Sequence, residues 1–494
     1  MNGNYNQESG STYITHVTPG TDSSDQIAVT GAATIASGAT LDVIKTVAGS
    51  YTPGSVYTVL SAGGGVSGSS TGGTLFQHQG EFDLTALYGL EEIDNANTVQ
   101  LVVVQNATTS DMAQTANERG VAKAVDSIVP AQAGTTTLAT AIGSEATATG
   151  VREALNQSSG EIHASIKAAM LDDSRFSRDA AFDRLNDAFC SIGPNAPRRI
   201  SQQTRNRAAG DCIPDPRRLS FWGGAFGGWG HYDGNGNAAR MGQSIGGFLF
   251  GADTRVGEHW RIGAMAGFSR SNFDVSERMS SGSSSDVYAG VYGGRQWGRL
   301  GLKLGATYTY HDISTRRSVM APGFSASPRG RYDANGEQGF GELSYRLNAG
   351  PVVISPFANA AYVNLRTSGF RESGGEAALT GHAGNTDGVF TTVGFHSFTD
   401  FRIGRMAVRA QGTLGWRRTS GMRTPKQKLD LSTGNGDDTG FAVWGVPLAA
   451  DSVVVRAGLA MQAAPGVTVG LSYGGMFSTA NSYQGVTGNV RVNF

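Results

Sequence analysis

Three Gly-x-Ser-x-Gly pentapeptides, Gly68 to Gly72, Gly242 to Gly246 and Gly470 to Gly474, are the segments of this chain that could seat a nucleophilic serine. A hydrolase elbow needs that serine on a tight strand-to-helix turn, with its hydroxyl exposed beside an oxyanion hole of backbone N–H groups. None of the three reads as such a turn, and a chain with 71 glycines yields the pattern by chance. Eight histidines are scattered without ligand spacing, so no metal site is predicted. No catalytic residue and no cofactor is assigned, and the protein reads as a non-enzyme. What remains is a series of charges, Glu161, His163, Asp172, Asp173, Arg175, Arg178, Asp179 and Asp183, and two cysteines, Cys190 and Cys212, that bracket a Pro/Arg-rich segment. In an oxidising compartment the cysteines close that segment as a disulfide; otherwise they are two thiols.

The elements that position these groups are mainly strands. The glycine share is about twice the usual one, and 39% apolar residues is low for a packed soluble enzyme. A formal net charge of −1 supplies no field for nucleic acid. No apolar run approaches the ~20 residues of a transmembrane helix, so a membrane-spanning form must be a closed barrel. Residues 300 to 311 alternate strictly: Leu300, Leu302, Leu304, Ala306, Tyr308 and Tyr310 share one face, and Gly301, Lys303, Gly305, Thr307, Thr309 and His311 the other. Tyr308 and Tyr310 end the apolar stripe, where an aromatic girdle meets the bilayer interface. The chain closes on Val486, Val490, Val492 and Phe494 alternating with Thr487, Asn489, Arg491 and Asn493, the pattern of a last barrel strand.

About twelve strands are predicted in residues 219–494, beginning near 219, 241, 258, 285, 299, 336, 351, 388, 402, 451, 466 and 483. Their connections alternate between short ones, such as 256–259 and 296–299, and long ones, such as 315–335 and 418–450, as periplasmic and extracellular sides require. Strand parity turns Asp253, Arg255, Arg261, Lys303, Glu342, Arg405, Arg409 and Arg456 into the lumen. Residues 107–218 are read as a helical linker in which about 151–189 form one helix, interrupted only by Gly160 and polar nearly all round. Such a helix is a solvated linker or unstable unless a polar lumen surrounds it. The charged lining either pairs with Glu161, Asp172, Asp173, Asp179 and Asp183 and fixes the helix as a plug, or lines a hydrated channel. Residues 25–106 carry short, evenly spaced strands with Gly/Ser-rich turns, the pattern of the last coils of a β-solenoid. Residues 1–24 are expected to be a disordered or truncated start. The first ten residues lack the basic and apolar regions of a secretory signal, so the chain is expected to be a fragment with residues once upstream.

Several segments resemble the translocators of monomeric autotransporters of type V secretion. Residues 158–165 with 171–176 and 178–185 are similar to the family's helix signature, Gly251 to Arg255 and Trp260 to Gly263 to its second and third strands, and Tyr57 to Leu60 with Gly64 to Gly68 to the junction that helps a passenger fold. The resemblance implies a mainly β protein: a 12-stranded antiparallel transmembrane barrel plugged by an α-helix and preceded by the end of a β-solenoid. It also implies a monomer in outer-membrane lipid, with its own upstream passenger at the cell surface or released. Periplasmic chaperones would deliver it, and the barrel-assembly machinery would read Val490, Val492 and Phe494. Some relatives cleave at an Asn-Asn pair in the helix; this chain has only the isolated Asn156 and Asn186. A porin-like channel and a barrel-linked hydrolase are the alternatives.

Overall fold

The structure is a computed structural model that describes all residues except 48–50, 70–72, 129–137, 191–218, 258–259, 405, 433–439 and 494. Cys212, Arg405, Phe494 and Ser70 of the first pentapeptide therefore lie outside the described residues.

Residues 1–105 wind into a three-sided stack. One side is the parallel trio β1 (Tyr5–Gln7), β4 (Ala33–Ile35) and β7 (Val66–Gly68), and the second is β2 (Thr12–Val17), β5 (Thr40–Lys45) and β8 (Gln77–Gly80). On the third side β3 (Ile27–Val29) runs parallel to β6 (Val56–Ala62), and the hairpin β9 (Tyr88–Asp94) and β10 (Thr98–Gln105) closes it antiparallel. The expectation of disorder in residues 1–24 is thereby corrected. β1 and β2 are held by ladder bonds to the next coil, and Val17 is buried on the stack's axis.

Four helices follow: α1 (Thr109–Met112), α2 (Ala116–Asp126), α3 (Leu138–Gly143) and α4 (Ala148–Ser158). Reciprocal capping boxes, Thr108 with Asp111 and Thr115 with Glu118, start the first two. The one interruption read within residues 151–189, at Gly160, is where the helix breaks. Gly160, with φ +66°, lies between α4 and the next helix, and a Cβ there would be strained by the left-handed backbone and would strike Leu379. A new helix then begins, α5 (Ile162–Asp173) and α6 (Arg175–Phe189), joined through a helical Ser174 into 28 continuous residues. At 1.5 Å per residue it is about 42 Å long.

Twelve antiparallel strands surround it: β11 (Leu219–Tyr232), β12 (Met241–Val256), β13 (Trp260–Val275), β14 (Ser280–Trp297), β15 (Leu300–Arg317), β18 (Arg329–Tyr345), β20 (Val352–Thr367), β23 (Gly384–Ile403), β24 (Met406–Gly421), β27 (Asp451–Ala464), β28 (Val467–Phe477) and β29 (Asn481–Asn493). Each pairs with the next and β29 returns to β11, with Ser220 opposite Asn493 and Tyr232 opposite Asn481. Smaller strands belong to the connections: the hairpin β16 (Val319–Ala321) and β17 (Phe324–Ala326), β19 (Leu347–Ala349), and the sheet of β21 (Phe370–Arg371), β22 (Leu379–Gly381), β25 (Lys426–Leu431) and β26 (Gly440–Trp444). Strands reach further than their hydrophobic stripes. β14 starts at 280, not 285, and β18 at 329, not 336, because their upper ends carry serine and arginine on the outer face. Two connections on the long-loop side are short, Ser276 to Met279 and 478–480.

The outer face is apolar, with Phe248, Phe268, Val291, Leu304, Leu343, Phe395, Leu414 and Leu471 all exposed. Trp260 and Trp297 meet edge to face at one rim, and Tyr308 and Tyr310 stand towards the other. A single apolar core runs from the coil stack through α1 to α5 into the upper loops.

One titratable cluster sits in the last coil. Glu92 accepts from Leu75 N (3.0 Å) and lies 2.9 Å from His78 Nε2, while Asp94 accepts from Leu75 N at 2.9 Å. Partial burial, then the Glu92 carboxylate beside it, pushes the Asp94 carboxyl up to about 6. The folded chain thus holds this proton more tightly than the unfolded one. The stabilisation is complete below the ordinary value of 3.8 and is lost as pH rises through about 6. Asp94→Asn is expected to raise the thermal midpoint of the purified protein at neutral pH and leave it unchanged near pH 4. Equal shifts at both pH values in circular-dichroism melts would contradict this.

Candidate functional site: a charged helix in a polar lumen

The alternation that gives lipid an apolar face gives the lumen everything else. Along β15, Lys303, Thr307, Thr309 and His311 are buried inward. Part of this lining pairs within the wall, His311 with Asp286 at 2.6 Å among them, and the inner helix supplies further partners.

At the upper end Glu161 accepts from Ala239 N (2.8 Å) and from Arg278 Nε (3.2 Å). His163 lies 2.9 Å from Glu372 Oε1 and 3.2 Å from Tyr332 Oη. Glu372, in the loop between β21 and β22, also receives Arg317 at 2.5 Å and Leu379 N at 2.9 Å. Burial opposes the charge of Glu372, but Arg317 and His163 outweigh it and hold the carboxyl well below the usual range. Lys167 donates to Lys426 O (3.0 Å), and Val446 N to Ser165 Oγ (3.1 Å). Helix and upper loops therefore form one bonded unit.

In the middle Asp172 is 2.8 Å from Arg417 and 2.9 Å from Arg175, and Arg175 lies 4.1 Å from the Tyr483 ring centre. Asp173 receives Gln243, and Arg178 donates to Gln338 (3.0 Å). Lower down Arg456 spans Asp179 and Asp183, both at 2.7 Å, and Asp187 meets Arg491 at 2.8 Å. Arg184 forks onto Asp253 at 2.5 and 2.8 Å, and Asp253 is also held by Arg261. Between these rungs Phe182 meets Phe340 edge to face at 5.2 Å and Phe176 stacks on Phe226 at 4.5 Å.

The expected match of helix acids to wall bases differs in detail. Among the described residues, the predicted wall cation Arg456 bonds two helix acids, and Arg417, Arg278 and Arg491 bond others. Asp173 meets an amide instead of a wall cation, and one pair has the opposite sign, Arg184 with Asp253. Lys303 and Glu342 pair with each other at 2.5 Å across β15 and β18, and Lys303 also reaches Asn186. Arg409 donates to Cys190 O (2.6 Å) and to Asp400. Arg255 stands in register with Arg261 at the exposed rim, bonded to Gly257 O and away from the helix. Arg417 was readable by carrying the parity of Arg409 eight residues up β24. The sign of the Arg184 pair carried no such signal, since helix rotation in the lumen sets it.

Ser244 and Ser472 of the second and third pentapeptides sit inside β12 and β28, not at a strand-to-helix turn. On β29, Val490 is exposed to the outside and Val492 half-buried beside Phe221.

A closed twelve-stranded barrel with a 28-residue helix through its lumen defines a helix-plugged outer-membrane barrel. Residues 221–474, just over half of the chain, match the family model described as Autotransporter beta-domain. The protein belongs to the autotransporter family, as one of its outer-membrane translocators. It is 32% identical over 348 residues to an extracellular serine protease of Serratia marcescens, which covers 70% of this chain. The chain spans about a third (31%) of that relative's length. Similar solved structures include the translocator domain of autotransporter NalP from Neisseria meningitidis, with 14% identity, 66% of this chain and 98% of that one covered, and a TM-score of 0.48. The β domain of the Bordetella autotransporter Brka follows, with 16% identity, 56% and 100% covered, and a TM-score of 0.41.

Removing one member of a desolvated pair leaves its partner charged and unpaired, at a cost of about 3–5 kcal/mol. Asp253→Asn, which strands Arg184 and Arg261, is expected to lower the unfolding midpoint of the detergent-solubilised barrel by an amount in that range. An unchanged midpoint in a heat-modifiability series would show that the pair is not structural.

Proposed function

We propose that residues 1–105 are the last coils of an exported passenger and that α5 and α6 are the segment left in the barrel when export is complete. The observation that carries this is the series of helix-to-wall contacts from Glu161 to Asp187, which fill both sides of one polar lumen. Support comes also from the join between stack and linker, where Ala86 N donates to Glu145 O (2.8 Å) and Thr85 Oγ1 to Gly143 O (2.8 Å). Coils that add by neighbour contacts can start folding at this end and bias movement outward, without nucleotide or cofactor.

In this reading the pore-helix residues Glu161, His163, Asp172, Asp173, Arg175, Arg178, Asp179 and Asp183 act as a plug, with Asp253, Arg261, Lys303, Glu342, Arg409 and Arg456 as its seat. Arg255 belongs to the lower rim, and strand parity in the sequence reads Arg405 as a further lumen cation. Cys190 with Cys212 would close the loop below the helix as a disulfide. Val490, Val492 and Phe494 are the segment that the barrel-assembly machinery would take up from periplasmic chaperones. The translocator works as a monomer, and any enzymatic activity belongs to a passenger upstream. The relative's name makes a secreted protease the first activity to assay there.

Charge reversal at two wall positions tests the plug. Arg417→Glu with Arg456→Glu puts acids against Asp172, Asp179 and Asp183, so planar-bilayer conductance of the full chain is expected to rise above that of the unaltered protein. Deleting residues 111–189 should open the pore further. Equal conductance in all three folded barrels would support an open porin-like channel instead.

A further inference from the structure

The upper outer face of β13, β14, β15 and β18 departs from the lipid-facing pattern below it. Cross-strand register orders its residues into rows. Phe268, Val287, Tyr310 and Asn335 are near one level; four residues up come Asn272, Ser283, Ser314 and Arg331, and above them Asp274, Ser281, Arg316 and Arg329. At about 3.3 Å per residue along tilted strands, these rows lie roughly 10 Å or more above Tyr310. They stand where headgroups replace hydrocarbon.

The serines form a low floor between taller cations. Arg270 lines one side, and Arg316, Arg329, Arg331 and Arg371 the other, of a groove of about 650 Å³, within the size range of ligand sites. Arg371 is brought there by the backbone bonds of Arg329 with Ser373, at 2.8 and 2.9 Å, which carry the β21 loop over the strand end.

The charge is not balanced from within. Arg331 is paired with Asp312 at 2.6 Å, and Asp333 accepts from Tyr310 Oη. Asp274 is bonded by Ser276. Among the described residues no carboxylate lies within ion-pair distance of Arg270, Arg316, Arg329 or Arg371, while Arg316 and Arg329 stand directly opposite one another. Facing like charges in a cross-strand pair are destabilising. A bridging anion would turn that repulsion into two charge-assisted contacts, and the guanidinium fork suits phosphate.

We propose that this groove binds the phosphate-bearing headgroup of an outer-leaflet lipid. The floor of serine hydroxyls offers donors to phosphate or sugar oxygens, and beneath the intervening polar row of Arg270, Ser285, Asp312 and Asp333 the outer face at Phe268, Val287 and Tyr310 accepts the acyl chains. Position favours a lipid over a free ion, because the basic rows continue the lipid-facing surface and are not set within the lumen.

Native mass spectrometry of the full chain in nanodiscs decides the matter, with bisphosphorylated lipid A, its dephosphorylated form and inorganic phosphate as probes. The unaltered protein is expected to retain bisphosphorylated lipid A, and Arg270→Ser, Arg316→Ser, Arg329→Ser and Arg371→Ser combined to weaken it by about tenfold or more. The heat-modifiable gel shift confirms that the variant is folded. A second, milder variant, Arg316→Ser alone, should weaken retention by a smaller factor. Retention of the dephosphorylated lipid to the same degree, equal retention by the folded variants, or full displacement by millimolar inorganic phosphate would each overturn the proposal.

Discussion

Closure of β29 on β11 is the contact on which everything else rests. Hydrocarbon offers no partner to a backbone N–H or C=O, so a strand edge left open in a bilayer would expose a row of unsatisfied groups, each costing several kcal/mol. Residues 220–232 and 481–493 match one to one, and the ring of twelve strands has no edge left. Once it closes, alternation sorts side chains without further choice. One set meets lipid and the other is enclosed, and the enclosed set is too polar to pack on itself.

That enclosed set explains the helix. Ile162 to Phe189 has little amphipathic character, with acids and bases around much of its circumference. In water it would be a marginal helix. Inside the barrel its charges find Arg417, Arg456, Arg491 and Asp253, and its apolar residues find Met265, Tyr292 and Phe340. Charges removed from water interact strongly, but the desolvation cost nearly cancels the gain. The pairs therefore act more on position than on net stability: a helix rotated or shifted by one turn would bury several of them unmatched.

The coil stack is built on a different rule. Its rungs satisfy the backbone between successive coils and bury Ile35, Leu41, Val59 and Leu101 along one axis. Its last rungs turn antiparallel, and the capped helices α1 and α2 lead from it to the upper loops. One apolar core runs from the stack through these helices into the upper loops, so stack and barrel are joined by packing as well as by the chain.

Local pattern carried most of the barrel. Period-two alternation along Leu300 to His311 assigned each side chain to lipid or lumen, and a twelve-strand count followed from repeating that reading, because each strand's two solvents are written into its own residues. The same logic undercounted strand length at 280–284 and 329–335, where the outer face turns polar in the headgroup zone and the apolar stripe ends before the ladder does. It misjudged residues 1–24, whose strands depend on partners a coil away, and it marked Gly160 as an interruption without showing that the backbone there takes a positive φ. Parity placed Asp253, Lys303 and Arg456 inward, but could not say which would touch the helix or with which sign. That was decided only when the barrel closed, since the rotation and depth of a helix in a lumen depend on contacts from many strands at once, and no short stretch of chain contains them.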